Sequence, residues 1–311
     1  MTLDDRPFSI EQLKADPARQ RRERLVRGAF FGSAALAIVI SVAIVLSLLG
    51  DSIEFLLGVD PGALLASAWQ PRSGDYGLAA IISGTLVISA IAMLVATPLG
   101  LGAAIYLSEY ASPRMRGWLK PILEVLATIP SVVLGFFALT VLSPSLIQQI
   151  CPGATPIFSL AAAGVAVGIL ITPLIASISE DAMYAVPSTL REASYGLGAK
   201  RRTTSLRVVM PAAVSGIVAS LIVGFSRAIG ETMIVAIAAG GVGGAVFNLN
   251  ACLPGQTMTG AMTVIAIGSD AVGGGVAFSS LFFVGLLLFF MTLGLNLVSE
   301  NFVRRMRRGY R

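Results

Sequence analysis

The 311 residues are 55% hydrophobic and only 13% charged, with 22 Lys and Arg against 17 Asp and Glu and a net charge of +5. A soluble domain carries roughly 25% charged residues, so this chain lacks the polar surface to cover a water-facing globule. Histidine is absent and there are two cysteines, which excludes His-built zinc sites, Ser-His-Asp triads, histidine proton relays, disulfide scaffolds and iron–sulfur centres.

A membrane span needs about 20 apolar residues. Six stretches qualify, so the expected fold class is an all-α membrane protein with six transmembrane helices. After a tail over 1–28, the first span is expected at Ala29–Leu49. It reads as an uncleaved anchor (29–50), because its apolar run exceeds that of a signal peptide and no small-x-small site follows Gly50. Residues 51–77 read as an outer, periplasmic loop. A core region, 78–303, then holds spans at Leu78–Leu107, Leu119–Leu142, Ile157–Ile178, Ala212–Ala239 and Phe278–Phe302. Thr257–Ile267 is apolar but too short to cross, and reads as a short helix at or dipping into the outer surface. A basic tail, 304–311, follows.

Positively charged loops stay in the cytoplasm. Twenty of the 22 basic residues fall in the N-terminal tail, the loops after spans two and four, and the C-terminal tail, which alternate onto one side. Arg72 lies on the other side and Arg227 within a span. Both termini are therefore expected inside (N-in, C-in), in a multi-pass protein of the bilayer. Basic flanks of this kind are explained by topology and anionic lipid, so no nucleic-acid partner is expected. Cys151 and Cys252 both fall in outer loops, an oxidising location, and are expected either to form a disulfide or to stand as two thiols too far apart to bridge.

The polar loop 180–211 is full of helix signals. Thr189 and Glu192 have capping-box spacing, Gly196 and Gly198 can end a helix, and Thr203 or Thr204 can cap a second one leading to Pro211. A short helix between two spans suits docking into another protein's groove. A phosphate-cradling P-loop requires Gly-Lys, a pair that occurs nowhere in the chain, so no P-loop ATPase site is expected in it.

Inside the fifth span, Arg227 lies roughly 24 Å beyond Pro211 along a helix. Glu231 is one turn further and on the same face. A charge at that depth calls for a partner or a wet cavity. Two readings stand: an ion pair that locks the bundle, and an anion path in which the guanidinium fork meets an oxyanion while Glu231 tempers the attraction and Ser226 and Thr232 add hydroxyls. Glu124, with Pro130 and Ser131, marks a possible pathway helix; alternatively Glu124 simply reaches the interface or pairs with Lys120, and Pro130 makes an ordinary kink.

These residues carry a resemblance. Glu192-Ala193-Ser194, Gly198, Val208, Met210 and Pro211 are similar to the "EAA…G…I-x-L-P" coupling signature of ABC importer permeases, with Ser194, Val208 and Met210 as mild departures. Ser226 to Val235, "SRAIGETMIV", resembles the corresponding run of PstC-type phosphate permeases. Glu124 to Gly135 and Tyr76-Gly77, Gly84-Thr85-Leu86 and Pro98 agree, so the resemblance covers about 76–305. The connection from Cys151 to Pro156 is short for this type, which leaves the outer face in doubt.

The resemblance implies the type I ABC importer (MetI-like) permease fold and phosphate as substrate. It also implies a homologous PstA-type second permease, an ATPase dimer docked on the coupling loop, a periplasmic phosphate-binding protein, and alternating access. No cofactor or metal is expected. The alternatives are a permease for another oxyanion (sulfate, molybdate or tungstate), a proton-coupled transporter using Glu231, and an intramembrane enzyme, for which no nucleophile–base pair is visible.

Overall fold

The computed structural model describes residues 17–151, 157–241, 245–268 and 275–309. The chain divides into two units, one ending at Gly50 and the other comprising Asp51–Arg311. Among the described residues, six helices are long and apolar enough to cross a membrane.

The first unit holds most of helix α1 (Pro17–Gly58), whose side chains from Arg21 to Gly50 are nearly all exposed and largely apolar beyond Arg27. The helix outruns the expected span at both ends. In the second unit, its last turns place Phe55 against Tyr76 and Phe283, with ring centroids 5.0 and 5.1 Å apart. Residues 51–77, expected as a loop, are largely ordered structure. After a 3-10 turn at Pro61–Leu65 come strands β1 (Ala68–Gln70) and β2 (Asp75–Tyr76), and β3 (Ala245–Val246) completes an antiparallel sheet in the order β2-β1-β3. Trp69 pairs with Tyr76 on one side and Ala245 on the other, and is buried over a core with Phe55, Met258 and Val284.

Helix α2 (Leu78–Tyr110) and helix α5 (Leu160–Tyr184) form the centre. With no hydrophobic drive between helices in lipid, close approach through small residues supplies the packing. Gly164 and Gly168 make a G-x-x-x-G face: a Cβ on Gly164 would lie 2.8 Å from the Ile91 side chain, and one on Gly168 would lie 2.8 Å from Val95 and 3.0 Å from the Ala92 carbonyl. Further along, Gly100 meets Ile175. The order of these contacts makes α2 and α5 parallel, as two spans separated by one other should be.

The expected third span, 119–142, is corrected to two helices. Helix α3 (Pro113–Leu126) is amphipathic and has no buried residues; helix α4 (Ser131–Ile150) is the membrane-length one. Pro130 disfavours helix at Ile129 and supplies no N–H, so the chain breaks there instead of kinking. Cys151, at the end of α4, is joined by a disulfide to Cys252, with Cα atoms 5.8 Å apart.

Helix α6 (Ser188–Gly196) follows α5 after three residues. Helix α7 (Arg201–Ile229) returns antiparallel to α5, with the Ser179 and Ser220 hydroxyls 2.6 Å apart and Gly224 against Ile175. The short helix α8 (Met233–Ala238) comes next. Helix α9 (Met258–Ile267) falls where the short apolar helix was expected, N-capped by Thr257, whose Oγ1 accepts from the Gly260 N–H at 3.0 Å. Helix α10 (Val276–Gly309) ends the described chain.

The α2–α5 contact yields a paired expectation. Gly168→Val should destabilise the detergent-solubilised protein by ~1–3 kcal/mol through overpacking. Gly102→Ala, whose Cβ meets nothing within 4 Å, should leave the melting temperature unchanged or raise it, since alanine is the better helix former. Thermal unfolding of both variants measures the difference.

Candidate functional site

The fifth apolar stretch does not run as one helix to Ala239. Helix α7 stops at Ile229, Gly230 and Glu231 are unwound, and α8 starts at Met233. Glycine's cost in a helix makes Gly230 the natural place to break. The expected helical register between Arg227 and Glu231 is therefore replaced by a bend, yet the pair survives: Arg227 Nη2 lies 3.3 Å from Glu231 Oε2. Its two members differ in access. The Arg227 side chain is 51% exposed and that of Glu231 only 2%.

The bend is held from α9. Thr259 Oγ1 donates to the Glu231 backbone carbonyl at 2.8 Å. That uses the Thr259 proton, so in the 3.0 Å contact between the two hydroxyls Thr257 is the donor. The Met258 N–H in turn donates to Thr85 Oγ1 on α2 at 3.0 Å. Gly84 lets the backbones meet here, since a Cβ would come within 2.3 Å of the Gln256 carbonyl. Gln256 Oε1, Ser89 Oγ and Glu231 Oε2 are buried oxygens without an aligned hydrogen-bond donor among the described residues. Buried polar atoms of this kind call for a role.

The hydroxyls expected beside the pair are otherwise engaged. Ser226 Oγ donates to Asn296 Oδ1 on α10 at 3.0 Å, and Thr232 Oγ1 donates to the Gly230 carbonyl. The site can present one open guanidinium, backed by a shielded carboxylate, to an anion.

A second site lies where α2, α5, α6 and α7 end or begin. Pro187 occupies the N-cap of α6 without a side-chain bond, so the expected Thr189/Glu192 capping box does not form. The helix turns at Gly198, not Gly196: Gly198 has φ +77°, and its N–H donates to the Tyr195 carbonyl at 2.9 Å. Neither Thr203 nor Thr204 caps α7; Lys200 is at that position, and buried Thr204 instead meets Ser194 Oγ at 2.9 Å. Pro211 sits just after the π-wound residues Ser205–Val209 of α7. Glu192 and Ala193 are exposed and Leu197 is 89% exposed. On α3, Glu124 is exposed and does not pair with Lys120.

Residues 96–308 match the family described as binding-protein-dependent transport system inner membrane component. The chain belongs to this family. Relatives of the permease include a probable ABC transporter permease, YqgH, of Bacillus subtilis, 36% identical over 75% of this chain and 77% of that one. The phosphate transport system permease PstC of Haemophilus influenzae is 32% identical over 88% and 90%. A chain from a bacterial alginate ABC transporter, in complex with an alginate pentasaccharide-bound periplasmic protein, has the same fold: TM-score 0.66 at 15% identity, covering 92% of this chain and 96% of that one. The permease therefore has the type I ABC importer fold and is a multi-pass inner membrane protein. Members of this family are transport subunits, not enzymes, and the family implies ATPase and binding-protein partners.

Two buried acids of the permease escaped the sequence reading. Glu180 is fully buried at the end of α5 and is paired with Arg116 and Lys120 of α3; Lys120 also bonds Asp181, and Arg116 lies 3.6 Å over the Tyr184 ring. Glu109, at the end of α2, is 3% exposed and paired with Arg191 of α6 at 2.9 Å. The signal available was an acid ending each long apolar run.

Burial pulls the Lys120 ammonium down, but hydrogen bonds to Asp181 and Glu180 and their charges outweigh this and hold it above the usual lysine value of 10.5. A raised lysine stabilises the fold fully below the unfolded value, and that stability is lost as pH rises through the folded one. The melting-temperature gap between the unmodified protein and Lys120→Met should therefore be full at neutral pH and close above pH 10.5.

Proposed function

We propose that this permease is the membrane-spanning subunit of an ATP-driven importer of inorganic phosphate, and that Arg227 attracts the anion along its path. The observation that carries this is the asymmetry of the charged pair: an open guanidinium over a shielded carboxylate, in a helix broken within the apolar bundle. A guanidinium fork matches phosphate oxygens. A counter-charge beside it keeps the anion from being held, as a conducting site requires. Kinship with phosphate permeases supports the choice of anion.

The basic end of the bundle is cytoplasmic in this reading, with residues 1–28 and 304–311 as cytoplasmic tails, 29–50 as the anchor and 78–303 as the core. A PstA-type homologue completes the pore, and a periplasmic phosphate-binding protein delivers substrate. Helix α6, in the loop 180–211, docks on an ATPase dimer and drives alternating access. Glu124, Pro130 and Ser131 stand at the break between α3 and α4 and border the route. Cysteines placed at Lys200 and Ser73 should label from the inside and the outside of the membrane respectively; external labelling at position 200 would reverse the orientation.

Uptake of labelled phosphate into proteoliposomes tests the path. Arg227→Gln should lower uptake roughly ten- to hundredfold, the cost of about 1.5–3 kcal/mol for a lost charged hydrogen bond. Glu231→Gln should differ from it, retaining substrate and slowing release. If the pair were only a lock, the double variant would regain transport because no charge is left buried alone, and near-normal uptake there ends the anion-path reading.

The docking role of α6 has its own test. A side chain at Gly198 is strained by the left-handed backbone, so Gly198→Asp should misplace α6. Gly198→Asp and Glu192→Lys should both insert normally but lose uptake. Substrate-stimulated ATP turnover at the normal rate in either variant would refute docking.

A further inference from the structure

Arg191 is the one charged side chain of α6 that turns inward among the described residues: its neighbours Glu192 and Ala193 are exposed, and Leu190, Tyr195 and Leu197 present large apolar surface. Its guanidinium touches three separate acceptors. Nη1 donates to the Val186 carbonyl at 2.6 Å, Nη2 donates to the Met183 carbonyl at 2.8 Å, and Nη2 and Nε both reach Glu109 Oε1, at 2.9 and 3.3 Å. Met183 is in the last turn of α5 and Val186 just past it, where carbonyls run out of intrahelical donors. Glu109 closes α2 and also accepts from Ser108 Oγ at 3.0 Å. One planar fork thus joins α6 to the ends of two spans that pack on each other along the whole bundle. Only residues 185–187 separate α5 from α6, and the clamp bridges them.

We propose that Arg191 is a positioning residue for energy coupling: it makes α6 move as one body with the ends of α2 and α5, so that a displacement of α6 reaches those spans instead of being absorbed in residues 185–187. The proposal rests on the reading of α6 as the ATPase-docking helix. Arginine is required because five donors in a fixed plane can serve a carboxylate and two carbonyls at once, whereas lysine is a point charge on a flexible stem. The charge of Arg191 also neutralises Glu109, which would otherwise be buried alone. Ser194, bonded to Thr204 at the start of α7, gives α6 a third attachment, so loss of Arg191 should loosen the helix without releasing it.

The experiment uses the purified complex with its ATPase and second permease in proteoliposomes, with labelled inorganic phosphate and simultaneous measurement of ATP hydrolysis. Two variants avoid an uncompensated buried charge. Arg191→Met with Glu109→Gln removes both charges; Arg191→Lys keeps the charge that Glu109 needs but loses the fork. Both should insert and retain the ATPase, and in both the phosphate taken up per ATP hydrolysed should fall roughly tenfold, within the range of allosteric coupling energies. A clamp that served folding alone would change the amount of assembled complex and not this ratio. A ratio like that of the unmodified complex in either variant overturns the proposal. Glu192→Lys separates the two claims. If it releases the ATPase while the Arg191 variants keep a normal ratio, the clamp fails and docking stands. If it leaves the ATPase bound and transport coupled, the docking reading itself fails.

Discussion

A carboxylate taken out of water must be met by a cation, and among the described residues the permease meets that requirement three times with three different geometries. Glu180 is enclosed by Arg116 and Lys120, Glu109 is held by Arg191, and Glu231 faces Arg227 across the bend after α7. Removing one partner of a buried pair costs about 3–5 kcal/mol, so the first two pairs fix the elements that bear them. The first holds α3 against α5, and the second holds α6 against α2 and α5. In the third, the cation is largely open while the acid is closed, so its charge remains available to something else. The same requirement gives two fixed joints and one site with spare capacity.

Those joints act on a bundle whose interior is set by small side chains. Gly164 and Gly168 on α5 admit Ile91 and Val95 of α2, and Gly216 and Gly224 on α7 admit Ala182 and Ile175 of α5. Backbones that approach this closely leave little room for sliding, so α2, α5 and α7 form a stiff centre. The breaks fall outside it, at Ala127–Pro130 between α3 and α4 and at Gly230–Thr232 between α7 and α8. Rigid and interrupted segments are thus segregated, an arrangement suited to rocking about a fixed core.

The six apolar runs, the short helix after Thr257 and the polar turn around Gly198 were legible in the sequence because length, hydropathy and glycine are local properties. Arg227 and Glu231 were legible because charge within an apolar run stands out. The interruptions were less so: Pro130 read equally well as a kink, and Gly230 is one glycine among 33. Capping spacing misled at Thr189 because Pro187 had already taken the N-cap. The Glu180 and Glu109 pairs were invisible, since their partners lie 60 and 82 residues away along the chain. Periodicity tells which face of a helix is buried; it does not tell which distant residue will be found there.

The bond between Cys151 and Cys252 spans 101 positions. It closes a covalent ring that contains all of α5, α6, α7 and α8, and with them Arg191, Arg227 and Glu231. A single peptide cut anywhere in that ring leaves one molecule of unchanged mass apart from the added water, whose two fragments part on a denaturing gel only after a thiol reductant is added. The stretch of chain that carries both charged sites is tied end to end.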